Sequence, residues 1–133
     1  MREITLRTEA RSAFVDLTGQ VQAAVTAAGC RDGAVLVFNP HTTAGVTINE
    51  GADPDVVRDM TASLDRLVPW QDGYRHLEGN AAAHIKASLV GSSVTVIVAG
   101  GRLQLGTWQK IWFCEFDGPR TRRVWVRTLA GND

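Results

Sequence analysis

The feature that most constrains this chain is a two-residue alternation that runs into a pair of glycines. Val94, Val96 and Val98 occupy every second position up to Gly100-Gly101, and Leu103 and Leu105 lie on the return. A period of two puts one face of a strand against a core, and Gly-Gly supplies the positive φ of a tight hairpin. Residues 111–116 and 124–129 form another apolar pair around Asp117-Gly118-Pro119. The last third must therefore build antiparallel sheet. Upstream the period changes repeatedly. Ile4, Leu6 and Thr8 alternate as a first strand, and residues 13–17 read as a second. Val21, Ala24, Val25 and Ala28 fall at helical spacing, with Thr18 as cap and Gly29 as stop. Residues 33–38 and 43–50 read as strands on either side of Pro40. Asp53, Pro54 and Asp55 make a strong helix start, followed by the stripe Val57, Met60, Leu64 and Leu67. Asn80 caps a third helix over 81–90, stopped by Gly91, with Ile85 and Leu89 expected toward the core. The order predicts an α+β domain spanning 1–133, a mixed or antiparallel sheet with about three helices.

Charge and cysteine usage narrow the function classes. Fourteen basic residues balance fourteen acidic ones, so neither nucleic acid nor a membrane surface is expected as partner. No apolar run reaches spanning length, and the start lacks a signal-peptide core, so the expected location is cytoplasmic. Cys30 and Cys114 form no Cys-x-x-Cys pair and read as reduced thiols, Cys114 within a strand. Arg120, Arg122, Arg123 and Arg127 read as solvated residues of an exposed strand, with contact to an acidic ligand as the alternative.

The candidate chemistry lies mostly in the middle third. In His41-Thr42-Thr43-Ala44-Gly45-Val46-Thr47-Ile48-Asn49-Glu50, a strand would place imidazole, hydroxyls and amide on one face and Val46 and Ile48 on the other. Gly45 would admit a ligand or another backbone. The other histidines are His76 and His84; His84 lies in the first turn of its helix, whose free N–H groups attract anions. Asn80 precedes that helix and Lys86 follows on it, either as an anion contact or as a plain surface lysine. Trp108-Gln109 can stack on and hydrogen-bond a flat ring, or serve a core or subunit interface. No phosphate-binding loop or dinucleotide fingerprint is present, so no nucleotide cofactor is expected.

Three blocks of motif then coincide. They are His41 to Gly45 with Ile48 to Asp55; Tyr74-Arg75-His76, Glu78-Gly79-Asn80 and Ala83 to Leu89; and Gly101 to Leu103, Leu105 to Gln109 and Glu115 to Arg120. In this order they resemble the YjbQ-like (UPF0047, secondary thiamine-phosphate synthase) family. Many relatives carry an acidic residue where Ala82 stands, which implies weaker metal holding here. The resemblance implies a homotrimeric, β-sandwich-like α+β protein and a thiamine-phosphate-synthase-like reaction. That reaction joins a pyrimidine methyl pyrophosphate to a thiazole phosphate and expels pyrophosphate. On this reading His41, Glu50 and His84 are catalytic. Thr42, Thr43, Asn80, Lys86, Trp108 and Gln109 bind a small phosphorylated substrate. His41, His76 and His84 are metal candidates, for Mg²⁺ or Zn²⁺. Two other readings stand beside it: a metal-dependent hydrolase, and a trimeric metabolite- or metal-binding protein without catalysis.

Overall fold

Side-chain alternation sets two antiparallel sheets face to face. The structure, a computed structural model, describes residues 1–131. One sheet has five strands in the order β1 (Arg2–Arg7), β8 (Thr121–Ala130), β3 (Gly33–Phe38), β5 (Ser93–Ala99) and β6 (Arg102–Leu103). The other has three, β2 (Ala13–Asp16), β7 (Gln109–Glu115) and β4 (Ala44–Glu50). Alternate residues such as Val35, Val37, Val124 and Val126 of the first sheet meet Val46, Ile111 and Phe113 of the second in one core. Helix α1 (Thr18–Ala27) adds Val21, Ala24 and Val25 to that core. Full burial of each valine contributes roughly 1.5–3 kcal/mol.

The outer face of the three-stranded sheet is covered by α2 (Pro54–Leu67) and α3 (Ala81–Val90), over a second cluster built on Ala83, Ala87, Cys114 and Phe116. Helix α3 turns a different face inward from the one its sequence suggests. Ala82, Ala83, Lys86 and Ala87 are buried, whereas Ile85 and Leu89 are exposed. The alanines permit a close approach that larger side chains would block. A Cβ on Gly45 would lie 2.8 Å from both the Gly91 carbonyl oxygen and Val90 Cγ1, so the glycine admits this helix end rather than a ligand.

Helix boundaries follow local chemistry. Asp53 caps α2 by accepting the Asp55 N–H at 2.9 Å, with Pro54 next. Leu67 at its end is exposed, so the expected stripe is half-buried only as far as Leu64. Thr18 does not cap α1. Leu17 takes that position and Asp16 accepts the Thr18 N–H, while the Thr18 hydroxyl accepts from the Ile111 N–H. Gly100 and Gly101, at φ 58° and 76°, turn β5 into β6, which closes after Leu103. Among the described residues no helix is long and apolar enough to cross a membrane.

Candidate functional site

Period two places two charged residues where the core should be. Glu115 follows Ile111 and Phe113 on the inward face of β7, and Arg122 precedes Val124 and Val126 on that of β8. They meet where the two sheets join. The Arg122 guanidinium donates through Nε to Glu115 Oε1 at 2.8 Å, and its Nη2 pairs with Oε2. Nη2 also donates to the Thr43 hydroxyl at 2.9 Å. Glu115 further accepts from the Thr8 hydroxyl at 2.7 Å and from the Phe116 and Asp117 N–H groups, both at 3.1 Å. Burial alone would raise this carboxyl's pKa. The Arg122, Thr8 and Asp117 hydrogen bonds outweigh it and hold the group below its ordinary 4.5. Gly118 leaves room for this knot, since a Cβ there would strike the Ala10 carbonyl, the Thr8 hydroxyl and Glu115 Cγ.

Above the knot lies an open pocket of about 410 Å³. His41, Thr42 and Thr43 come to it from the turn before β4, His76 and Glu78 from the loop before α3, and Asn80 and His84 from the start of α3. Asp117 and Arg120 come from the β7–β8 connection, and Arg122 from the start of β8. Two arginines and two carboxylates thus share one wall system with three histidines. Arg120 donates through Nε to the Asp117 carbonyl and through Nη2 to its carboxylate at 3.2 Å. That carboxylate also accepts from Asn80 Nδ2 at 2.8 Å. Asn80 therefore sits at the N-cap of α3 without capping it by its side chain, and its Oδ1 is buried without a hydrogen-bond partner.

His41 has a defined tautomer. Its Nε2 accepts the Arg123 backbone N–H at 2.9 Å, which requires the lone pair there and leaves the proton of the neutral ring on Nδ1. Burial and the Arg122 charge lower its pKa from 6.5. His41 is thus a neutral N–H donor rather than a base. His76 and His84 stand edge to face, with ring centroids 5.2 Å apart. Although all three line the pocket, no three His, Cys, Asp or Glu side chains among the described residues are grouped to hold a metal ion. With His41 Nε2 occupied, the expected set His41, His76 and His84 does not fit a resident cation.

Other expected residues lie elsewhere. Register pairs Ala44 with Glu115 but Glu50 with Gln109, so Glu50 stands at the opposite end of β4. Six residue-to-residue steps of strand separate the two ends, about 20 Å. Within the chain, Glu50 does not join His41 and His84. Trp108 is exposed near Glu50, and Gln109 closes its own turn by accepting the Gly106 N–H at 2.8 Å. Lys86 is neither an anion contact nor a surface lysine. It is 3 % exposed, paired with Asp65 of α2, with its Nζ 5.9 Å from the Phe116 ring centroid. Arg122 is likewise buried, not solvated, whereas Arg123 and Arg127 are exposed. Sequence reasoning left Glu115 and Asp117 out of the site and read Arg122 as solvated first, with an acidic-ligand contact as the alternative; Glu115 and Arg122 had a signal. Glu115 and Arg122 keep the inward register of their apolar strands. A larger cavity, about 650 Å³ near Met1, offers Arg2 and Arg127 but, among the described residues, no histidine or carboxylate.

Comparison with known proteins agrees with this architecture. The family described as UPF0047 protein YjbQ-like matches residues 2–131. UPF0047 protein YugU of Bacillus subtilis is 50 % identical over 131 residues, covering 98 % of this chain and 99 % of that protein. A UPF0047 protein of Archaeoglobus fulgidus is 50 % identical over 129 residues, 96 % and 99 % of the two chains. The crystal structure of an uncharacterized YjbQ/UPF0047 protein from Clostridium acetobutylicum superposes with a TM-score of 0.96 at 53 % identity, covering 97 % of this chain and all of that one. The chain belongs to the YjbQ-like UPF0047 family.

Proposed function

We propose that this protein is a small-molecule enzyme acting on phosphorylated substrates, with a thiamine-phosphate-synthase-like transfer as its reaction. The carrying observation is the convergence of His41, His76, His84 and Arg120 on one open pocket at the start of α3. In that reaction the thiazole nitrogen forms a bond to the pyrimidine methylene carbon while the carbon–oxygen bond to pyrophosphate breaks. The leaving group gathers negative charge, which donors placed in advance stabilise. Arg120, half exposed, is the reachable cation. His41 Nδ1 supplies an N–H donor, and the His76–His84 pair is left for proton handling. A hydrolase using His41 as base is disfavoured, because its Nε2 lone pair is already engaged.

A binding protein without catalysis is the second reading. It is favoured by the fact that Arg120 and Arg122 already pair with Asp117 and Glu115. Incubating the purified protein with the pyrimidine pyrophosphate and the thiazole phosphate separates the two. Thiamine phosphate and pyrophosphate that form only with both substrates, and not in His84→Ala, support the enzyme. Binding without product supports the carrier.

Assembly as a homotrimer belongs to the same proposal. The number three comes from the family resemblance. The outer face of the five-stranded sheet leaves Ile97 and Leu129 exposed, an apolar surface a second copy can cover. Light scattering at micromolar concentration should give three chain masses. A cytoplasmic setting is proposed from the two free cysteines, the buried Cys114 with its pKa pushed up to about 12.

A further inference from the structure

The polar pocket has a neighbour. A second open cavity, about 560 Å³, shares Pro40, His41, Thr42 and His84 with it. The rest of its wall is different in kind. Phe38, Ala44 and Ala87 supply apolar surface, and Ser88 and Ser92 supply hydroxyls. Among the described residues, no Asp, Glu, Lys or Arg lines it. Asn39, also on this wall, is occupied internally. Its Nδ2 donates to the carbonyls of His41 and Ala44, and its Oδ1 accepts the His41 N–H. These bonds hold the turn that separates the two cavities.

We infer that the two cavities are the lobes of one substrate site. The charged lobe takes the phosphate or pyrophosphate, and the uncharged lobe takes the organic ring attached to it. His41 and His84 stand at the waist, beside the bond that joins ring to phosphate. An uncharged lobe selects by exclusion, since burying a second anion against Phe38 and the alanines without a cation carries a large desolvation cost. Apolar walls with a few hydroxyls suit a flat heteroaromatic group that carries one or two hydrogen-bonding atoms. The lobe lies on one flank of α3, and Ser88 is its exposed, replaceable wall. The Ser88 hydroxyl donates only to the His84 carbonyl, a bond within its own helix.

This inference rests on the phosphate-binding reading above, and the test separates the two. Calorimetric titrations of inorganic pyrophosphate and of the pyrimidine methyl pyrophosphate are run on the wild type, Ser88→Trp and Ser92→Trp, with thermal melts as a folding control. Both serines are exposed, and two variants guard against one that misfolds. An indole filling the uncharged lobe should weaken the pyrimidine methyl pyrophosphate by about tenfold or more while leaving inorganic pyrophosphate within about twofold. Folded variants that bind the pyrimidine methyl pyrophosphate as the wild type does, or that lose both probes equally, would overturn the two-lobed site. A wild type that binds neither probe would overturn the phosphate-binding reading itself.

Discussion

The two ends of the β4–β7 ladder carry similar polar residues and use them differently. At the Glu50 end, Asn49 and Gln109 accept N–H groups within their own turns, Gln109 from Gly106 and Asn49 from Glu50, and Trp108 is exposed. At the Glu115 end, hydrogen bonds cross the chain. Thr8, Thr43, Glu115 and Arg122 tie four distant segments together. Local bonds satisfy local polar atoms. Long-range bonds also fix the relative positions of the segments that bear His41, Asn80 and Arg120. Placing side chains for a ligand requires the second kind.

Breaking the knot should show the contrast at its largest. Glu115→Ala leaves the Arg122 guanidinium buried without its partner and should cost about 3–5 kcal/mol. Glu50→Ala at the other end should change stability by no more than about 0.5 kcal/mol. Denaturant unfolding of both variants checks this. Equal losses would erase the distinction between the two ends.

A second ion pair, buried on its Lys86 side alone, sharpens the comparison, because it lies away from the pocket. Lys86 is buried while Asp65 is more than half exposed. Asp65→Ala should therefore cost about 1–3 kcal/mol by stranding the ammonium, whereas Lys86→Met should cost less. Pyrophosphate affinity should be unchanged in both. A Lys86→Met variant that folds but loses pyrophosphate would return Lys86 to the site.

Acidification should reveal the same end of the molecule more gently. His41 has a folded pKa below 6.5, so as pH falls past 6.5 the unfolded chain binds the proton first and stability declines until the lower folded value is passed. Glu115 has a folded pKa below 4.5, and its contribution, present above 4.5, is lost as pH drops through the folded value. Melting temperature against pH should fall in these two windows. His41→Gln should flatten the first and Glu115→Gln the second. A wild type that gains stability as pH falls below 6.5 would contradict the neutral His41.

Much of the fold was legible because it depends on patterns that neighbours cannot easily override. The Gly100-Gly101 hairpin, the Asp53-Pro54 helix start and the alternation through Val94, Val96 and Val98 all occur where local chemistry places them. Failures came where packing chose between local options. Helix α3 has the larger apolar pair Ile85 and Leu89, yet its alanine face is inward because only that face lets the helix lie close over Gly45. For the site, His41, Asn80 and His84 were legible as chemistry-bearing residues at segment ends. Glu50 was grouped with them because a sequence motif does not show its own length in space. Seven strand residues place its two ends on different sides of the molecule.

On the function proposed above, the His41 end, not the Trp108 end, receives a phosphorylated ligand. Titrating inorganic pyrophosphate into the protein while following the imidazole C–H and indole N–H resonances tests it directly. The three histidine signals should move together with one dissociation constant while the Trp108 indole stays in place. A moving Trp108 signal with stationary histidines, or no histidine response at saturating pyrophosphate, would contradict it.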